Sequence, residues 1–244
     1  MFKASLFALL TLVAGTTMAA TADQALLQKA EQYRGRASSA LVDCQVELYQ
    51  GDQLEKSRLF QVYLGTDERS LVVFKSKADA GQKVLMKGND FWMLMPKSRR
   101  PIRITPMQKL LGEAALGDIA TLSWSKQYQV AKKESQGQSL VLTLTAISDA
   151  ASYQKIVLRL DAADLFPLSA DLYLRSGLLA KSATFERGER DGQPSVVAMA
   201  LSDNMKKGSK TVVRYQQVQP LAMPDKLFNP QILLRANLEQ LLAD

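Results

Sequence analysis

The sequence predicts a mainly β fold with a few helices, built on one strongly curved antiparallel sheet or a barrel. Three observations carry that expectation. Apolar and polar residues alternate with a period of two along most of residues 40–218, as they do in strands with one packed and one wetter face. Turn signals such as Gly51-Asp52, Gly88-Asn89-Asp90, Ser135-Gln136-Gly137, Asp191-Gly192 and Lys207-Gly208 separate many of the runs, which puts most of them in hairpin order. Helical periodicity is confined to a few short stretches, enough only to cover a sheet.

The chain opens as an export signal. Lys3 supplies a positive start, Ala4–Ala14 is an apolar run, and the small residues Gly15, Thr16, Thr17, Ala19, Ala20 and Ala22 follow. Cleavage is expected after Ala19, Ala20 or Ala22, which makes residues 1–22 the signal peptide. The apolar run falls well short of the ~20 residues that span a bilayer. A lipid anchor would need a Cys directly after the cleavage site. The nearest imitation, Leu41-Val42-Asp43-Cys44, carries Asp43 where a small residue is required, so Cys44 is expected as a buried hydrophobe on a strand. Residues 23–244 show no linker, repeat or composition break and are expected as one exported, unanchored, monomeric domain.

Within that domain, residues 23–36 make a helix with Asp23 as its cap, Leu26, Leu27, Ala30 and Tyr33 as its stripe, and Gly35 as its end. Strands are expected at 42–48, 56–64, 71–75, 83–87, 91–95, 101–105, 128–133, 139–148, 155–161, 168–175, 180–187, 195–202 and 211–218. Thr105-Pro106 starts a short helix through Leu111, followed by a loose apolar stretch, Gly112–Trp124. Asn229-Pro230 starts a last helix with Ile232, Leu233, Ala236, Leu238, Leu241 and Leu242 on one face. These helices are the material available to cover the concave side of the sheet.

Composition narrows the function. With 31 Lys+Arg against 24 Asp+Glu, no His and one Cys, the chain has no imidazole base, no His or Cys-cluster metal site and no internal disulfide. Phosphate loops, nucleophile elbows and calcium loops are missing too. Glu47, Glu55, Asp171 and Glu186 sit on alternating strand faces beside cations, so a hydrolase using two carboxylates is an alternative rather than the first expectation. The expectation is a binding protein, not an enzyme, without a cofactor. Export and a net charge of only +7 count against nucleic-acid binding.

The densest feature is residues 91–106, FWMLMPKSRRPIRITP, an apolar strand that runs into a basic turn and a second short strand. Lys97, Arg99, Arg100 and Arg103 can meet anionic headgroups or acidic partner residues. Met86, Met93, Met95, Met107, Met199, Met205 and Met223 supply the adaptable side chains that suit a lipid pocket. The concave face is expected to carry Val46, Leu48, Phe60, Val62, Phe91, Met93, Met95, Leu142, Leu144 and Leu158. A facing error of one residue would bring in Trp92 instead, so it is kept with the cavity set.

The pattern Trp-x-Leu-x-Pro-x-x-Arg-Arg-x-x-Arg-Ile, here Trp92 to Ile104, resembles the LolA-like family of outer-membrane lipoprotein-sorting proteins. The resemblance implies an unclosed antiparallel β-barrel with a helical lid over an apolar cavity, in the periplasm of a Gram-negative cell. It implies a carrier that binds acyl chains of a lipoprotein or lipid for transfer toward the outer membrane, with an inner-membrane exporter or an outer-membrane acceptor as partner. A periplasmic sensor of the RseB-like kind is the alternative within the family. The family's lid-locking Arg is not carried over, because the flanks of Arg58, the one Arg on the expected early strands, do not align.

Overall fold

The structure is a computed structural model that describes residues 14–35, 39–105, 107–115, 117–203 and 208–243. Most of the expected signal run, Pro106 and Met205 lie outside the described residues. The described residues begin with α1 (Ala14–Gln32), then form β1 (Ala40–Gln50), β2 (Gln53–Leu64), β3 (Arg69–Phe74), β4 (Lys83–Lys87), β5 (Asp90–Leu94) and β6 (Ile102–Ile104). An insertion holds β7 (Lys109–Leu111), β8 (Ala114–Ala115), a π-helical turn at Gly117–Thr121 and α2 (Trp124–Gln127). A second run of strands follows: β9 (Tyr128–Gln136), β10 (Ser139–Ala146), β11 (Lys155–Asp161), β12 (Pro167–Tyr173), β13 (Leu179–Arg190), β14 (Gln193–Ser202) and β15 (Ser209–Pro220). A 3₁₀ turn at Asp225–Phe228, α3 (Pro230–Arg235) and α4 (Leu238–Ala243) close the described chain.

Thirteen strands form one antiparallel sheet in the order β6-β5-β4-β3-β2-β1-β15-β14-β13-β12-β11-β10-β9. Every neighbour is a sequential hairpin partner except β1 and β15, which join the two meanders along their full lengths, from Ala40 opposite Pro220 to Gln50 opposite Ser209. β6 and β9 are the two free edges, so the sheet curves without closing. The register places apolar residues side by side on one face. Cys44 lies opposite Phe60 and Val42 opposite Val62, while Leu142 lies opposite Leu158 and Leu144 opposite Ile156. That face holds the main buried cluster, where each large side chain contributes about 1.5–3 kcal/mol of burial.

The opposite face is packed as well, though only over one half. Tyr63, Leu71, Val73, Leu85 and Leu94 lie under Leu227, Phe228, Leu233 and Leu241. The C-terminal helices therefore cover the convex face and not the concave one, as had been expected from their apolar stripe. The reason is legible in β3 and β4. Leu71-Val72-Val73-Phe74 and Val84-Leu85-Met86 are buried without a break, and a strand that is apolar on both faces needs a layer on each. Gly65 allows the contact, since a Cβ there would come within 2.5 Å of the Phe228 ring.

The helix ends follow local chemistry. α1 ends at Gln32 in a turn closed by Gly35, which lies in the left-handed region with φ 66° and donates its amide to the Gln32 carbonyl. Asp23 does not cap it; the helix runs through this position and Asp23 pairs with Lys133 at 2.7 Å. The Asn229 carboxamide accepts the Gln231 and Ile232 amides, with Pro230 in the first turn of α3. The single C-terminal helix that was expected breaks at Ala236 (φ −97°, ψ 148°), and Asn237 Oδ1 caps the continuation by accepting the Glu239 amide. The helix expected through Leu111 is instead β7, paired with β8.

Candidate functional site

The concave face gathers most of the residues the alternation pointed to. Val46, Phe60, Val62, Phe91, Leu142, Leu144 and Leu158 are all buried in one cluster, with Met93 packed against it. Leu48 is half-buried on the same face, close beneath Gly112, where an added Cβ would come within 2.9 Å of its Cδ1. Two residues are placed elsewhere. Trp92 opposes Leu85 in the β4–β5 ladder and packs with the convex layer. Met95 lies past the end of β5, where the alternation no longer assigns a face, and is 37% exposed at the hairpin tip.

The insertion between β6 and β9 lies across this face. Ala114, Ile119, Leu122 and Trp124 are buried in the main cluster alongside Leu27 and Ala30 of α1. Trp124 meets Phe185 of β13 edge-to-face, with ring centroids 5.7 Å apart. Together these side chains fill the bowl. Among the described residues, two small voids lie beneath them, about 20 Å³ beside Val42, Val62 and Ile119 and about 10 Å³ beside Trp124, Ala183 and Met199. Each holds no more than about one water molecule, whereas an organic ligand takes roughly 300–1,000 Å³. A wider depression of about 190 Å³ opens where Gly88, Asn89 and Phe91 face Leu122, Lys126 and Ile147. This depression is the mouth of the bowl.

A polar network fastens the insertion in place. Asp118, on the π-helical turn, receives Lys181 Nζ at 2.8 Å and the Tyr153 hydroxyl at 2.7 Å. Its side chain and that of Lys181 are only 2% and 3% exposed. Lys181 also donates to the Glu113 carbonyl at 2.6 Å, and the Glu113 amide donates to Thr211 Oγ1 at 2.9 Å. On the other side Glu31 of α1 accepts from the Trp124 amide at 2.8 Å and from the Ser123 and Ser125 hydroxyls at 3.0 and 2.5 Å. Arg34 donates to the Leu122 carbonyl at 3.1 Å and lies over the Trp124 ring. Burial first, and the Asp118 carboxylate second, push the Tyr153 hydroxyl far above its ordinary pKa, so it stays a donor. Arg58 takes no part; it pairs with Asp79 at 2.8 Å.

Sequence reasoning missed this network. Glu31, Asp118 and Lys181 are far apart in the sequence, with no spacing or motif to mark them. Of the four candidate hydrolase carboxylates, Glu47 and Glu186 lie 3.0 and 3.7 Å from Arg214, Asp171 accepts from the Ser182 hydroxyl at 2.5 Å, and Glu55 is exposed. Among the described residues no three His, Cys, Asp or Glu side chains converge to hold a metal ion.

The basic hairpin stands apart from the bowl, at the β6 edge of the sheet. Lys97 occupies the turn with φ 63°, and Lys97, Arg99 and Arg100 are exposed. Arg103 differs from them, since it pairs with Asp90 and lies 5.7 Å from the Trp92 ring centroid. Exposed Met95 and Ile102 (53%) flank the cations. Among the described residues no helix is long and apolar enough to cross a membrane.

Comparison with known proteins places this arrangement. A family model described as an uncharacterized protein matches residues 66–235. A LolA superfamily protein from Nitrosomonas europaea superposes with a TM-score of 0.76 at 30% identity, over 85% of this chain and 97% of that one. A domain described as outer membrane lipoprotein-sorting, from Vibrio parahaemolyticus, gives 0.66 at 20% identity over 88% of this chain and 100% of that one. A DUF1329 family protein from Desulfovibrio piger gives 0.66 at 22% identity, over 88% and 98%. No curated protein matches the sequence.

Proposed function

This chain belongs to the LolA superfamily, and from that premise we propose that it is a periplasmic, non-enzymatic carrier of acyl chains. In this proposal residues 1–22 direct export and the concave face shields the acyl part of a lipoprotein or lipid during transfer toward the outer membrane. The observation that carries it is the filling of the bowl. Its apolar lining is covered by the chain's own Ile119, Leu122 and Trp124, side chains that an acyl chain can replace one for one.

Magnitudes define the cargo. Opening exposes three large side chains at about 1.5–3 kcal/mol each and separates a buried ion pair at about 3–5 kcal/mol. Each methylene buried in their place returns about 0.8 kcal/mol. Two acyl chains, or one of about twenty carbons, outweigh the sum, and a short chain does not. Lys97, Arg99 and Arg100, flanked by Met95 and Ile102, suit docking to an anionic headgroup surface or an acidic exporter.

The test is lipid mass spectrometry on protein purified from periplasm, with titration of a fluorescent long-chain fatty acid. Co-purified acyl lipid and saturable binding are expected. A ligand-free protein that also fails to bind the probe overturns the carrier role. Replacing Lys97, Arg99 and Arg100 together by Ala should abolish flotation with anionic vesicles while leaving probe binding intact.

A further inference from the structure

The bowl contains a cation that an apolar carrier has no evident need for. Lys181 lies on the concave face of β13, opposite Leu172 in the β12–β13 ladder and two residues before Ala183, both of them buried in the apolar cluster. A buried ammonium is strongly penalised unless paired. Both of its hydrogen-bond partners, Asp118 Oδ2 and the Glu113 carbonyl, belong to the covering insertion. The Asp118 carboxylate also accepts from the Ala115 amide, within the insertion, at 2.9 Å and from the Tyr153 hydroxyl, which belongs to the sheet side. Tyr153 lies two residues before β11, is fully buried, and its carbonyl accepts from the Tyr128 hydroxyl at 3.0 Å.

When the cover lifts, Asp118 leaves with the Ala115 amide, and its two side-chain donors on the sheet remain. The Lys181 ammonium and the Tyr153 hydroxyl meet the two oxygens of one carboxylate, at 2.8 and 2.7 Å, and Nζ lies 5.8 Å from the Tyr153 ring. An opened bowl thus presents an apolar trough with a charged two-donor clamp inside it. A neutral acyl ligand would leave that ammonium buried without a counter-ion, whereas an anionic head fills the clamp.

We infer that Lys181 and Tyr153 form an anion anchor inside the cavity, which Asp118 occupies in the closed form as a stand-in for the carboxylate or phosphate head of an acyl amphiphile. This rests on the carrier reading and narrows it to ligands whose anionic head adjoins the acyl chain. The anchor lies within the bowl and is separate from the hairpin cations at the sheet edge.

The experiment compares Asp118→Asn with the double variant Asp118→Asn/Lys181→Met, because both lose the fastening and only one keeps the anchor. Hexadecanoate, a lysophosphatidate of the same chain length and hexadecanol are titrated into each. With Asp118→Asn, one or both anions should bind about tenfold more tightly than the alcohol, a difference of about 1.4 kcal/mol. The double variant should bind all three alike, and the anion that loses affinity identifies the head. Tyr153→Phe in the Asp118→Asn background should lose part of the preference. Melting curves confirm that the variants fold, and Asp118→Asn/Lys181→Gln serves if the Met pair does not. An anion-to-alcohol ratio unaffected by Lys181 overturns the anchor and leaves the carrier standing. Failure of all three probes to bind any folded variant overturns both.

Discussion

At the scale of single residues, the environment decides chemistry that composition leaves open. Cys44 is 1% exposed between Phe60 and Tyr215 in the ladder, and burial first, with Asp43 second, pushes its thiol up to about 12. Its thiolate is negligible at neutral pH, so iodoacetamide at pH 8 should leave the folded protein unmodified and alkylate it fully in denaturant. Labelling of the native state at a comparable rate would contradict the burial. The same alternation that placed Cys44 also placed Val46, Phe60, Val62 and Leu142, because a period of two fixes facing wherever a strand is regular. Regularity fails at Met95, one step beyond β5. The alternation could not show Lys181 either. A lone Lys between Ala180 and Ser182 reads as a surface residue until the insertion that pairs with it is placed in space.

At the scale of elements, each covering layer depends on a small number of contacts. The Glu31 carboxylate gathers the start of α2 by accepting from the Trp124 amide and the Ser123 and Ser125 hydroxyls. Glu31→Ala leaves these donors unmet and should lower stability by about 2–4 kcal/mol. Amide exchange in residues 117–127 should accelerate more than in β13 or β14, and uniform acceleration would show that the insertion is not a separable unit. On the convex side, Gly65→Ala drives a methyl into the Phe228 ring and should lower the melting temperature, by about 1–3 kcal/mol of stability. Probe binding in the bowl should survive this change. Helix positions near the C-terminus were readable from Asn229-Pro230, but the face they cover was not. That choice depended on β3 and β4 being apolar on both sides, which alternation alone does not weigh.

At the scale of the whole molecule, an open sheet with one bowl and two covers predicts a movement with a built-in reporter. The chain has two Trp residues, and they lie on opposite faces. Trp92 packs with the convex layer, whereas Trp124 is fully buried in the bowl beneath Arg34 and against Phe185. Among the described residues the Trp124 indole N–H has no hydrogen-bond partner, a cost of about 1–3 kcal/mol that the closed form carries and that opening relieves. If cargo replaces the insertion, Trp124 leaves an apolar site for water while Trp92 stays where it is. In a Trp92→Phe protein, emission should therefore shift to the red as a long-chain acyl ligand is added, in step with ligand bound. In Trp124→Phe the remaining Trp92 emission should stay constant over the same titration. Binding without a Trp124 shift would mean that acyl chains sit at the mouth beside Phe91 and Ile147, with the bowl still filled by the protein itself.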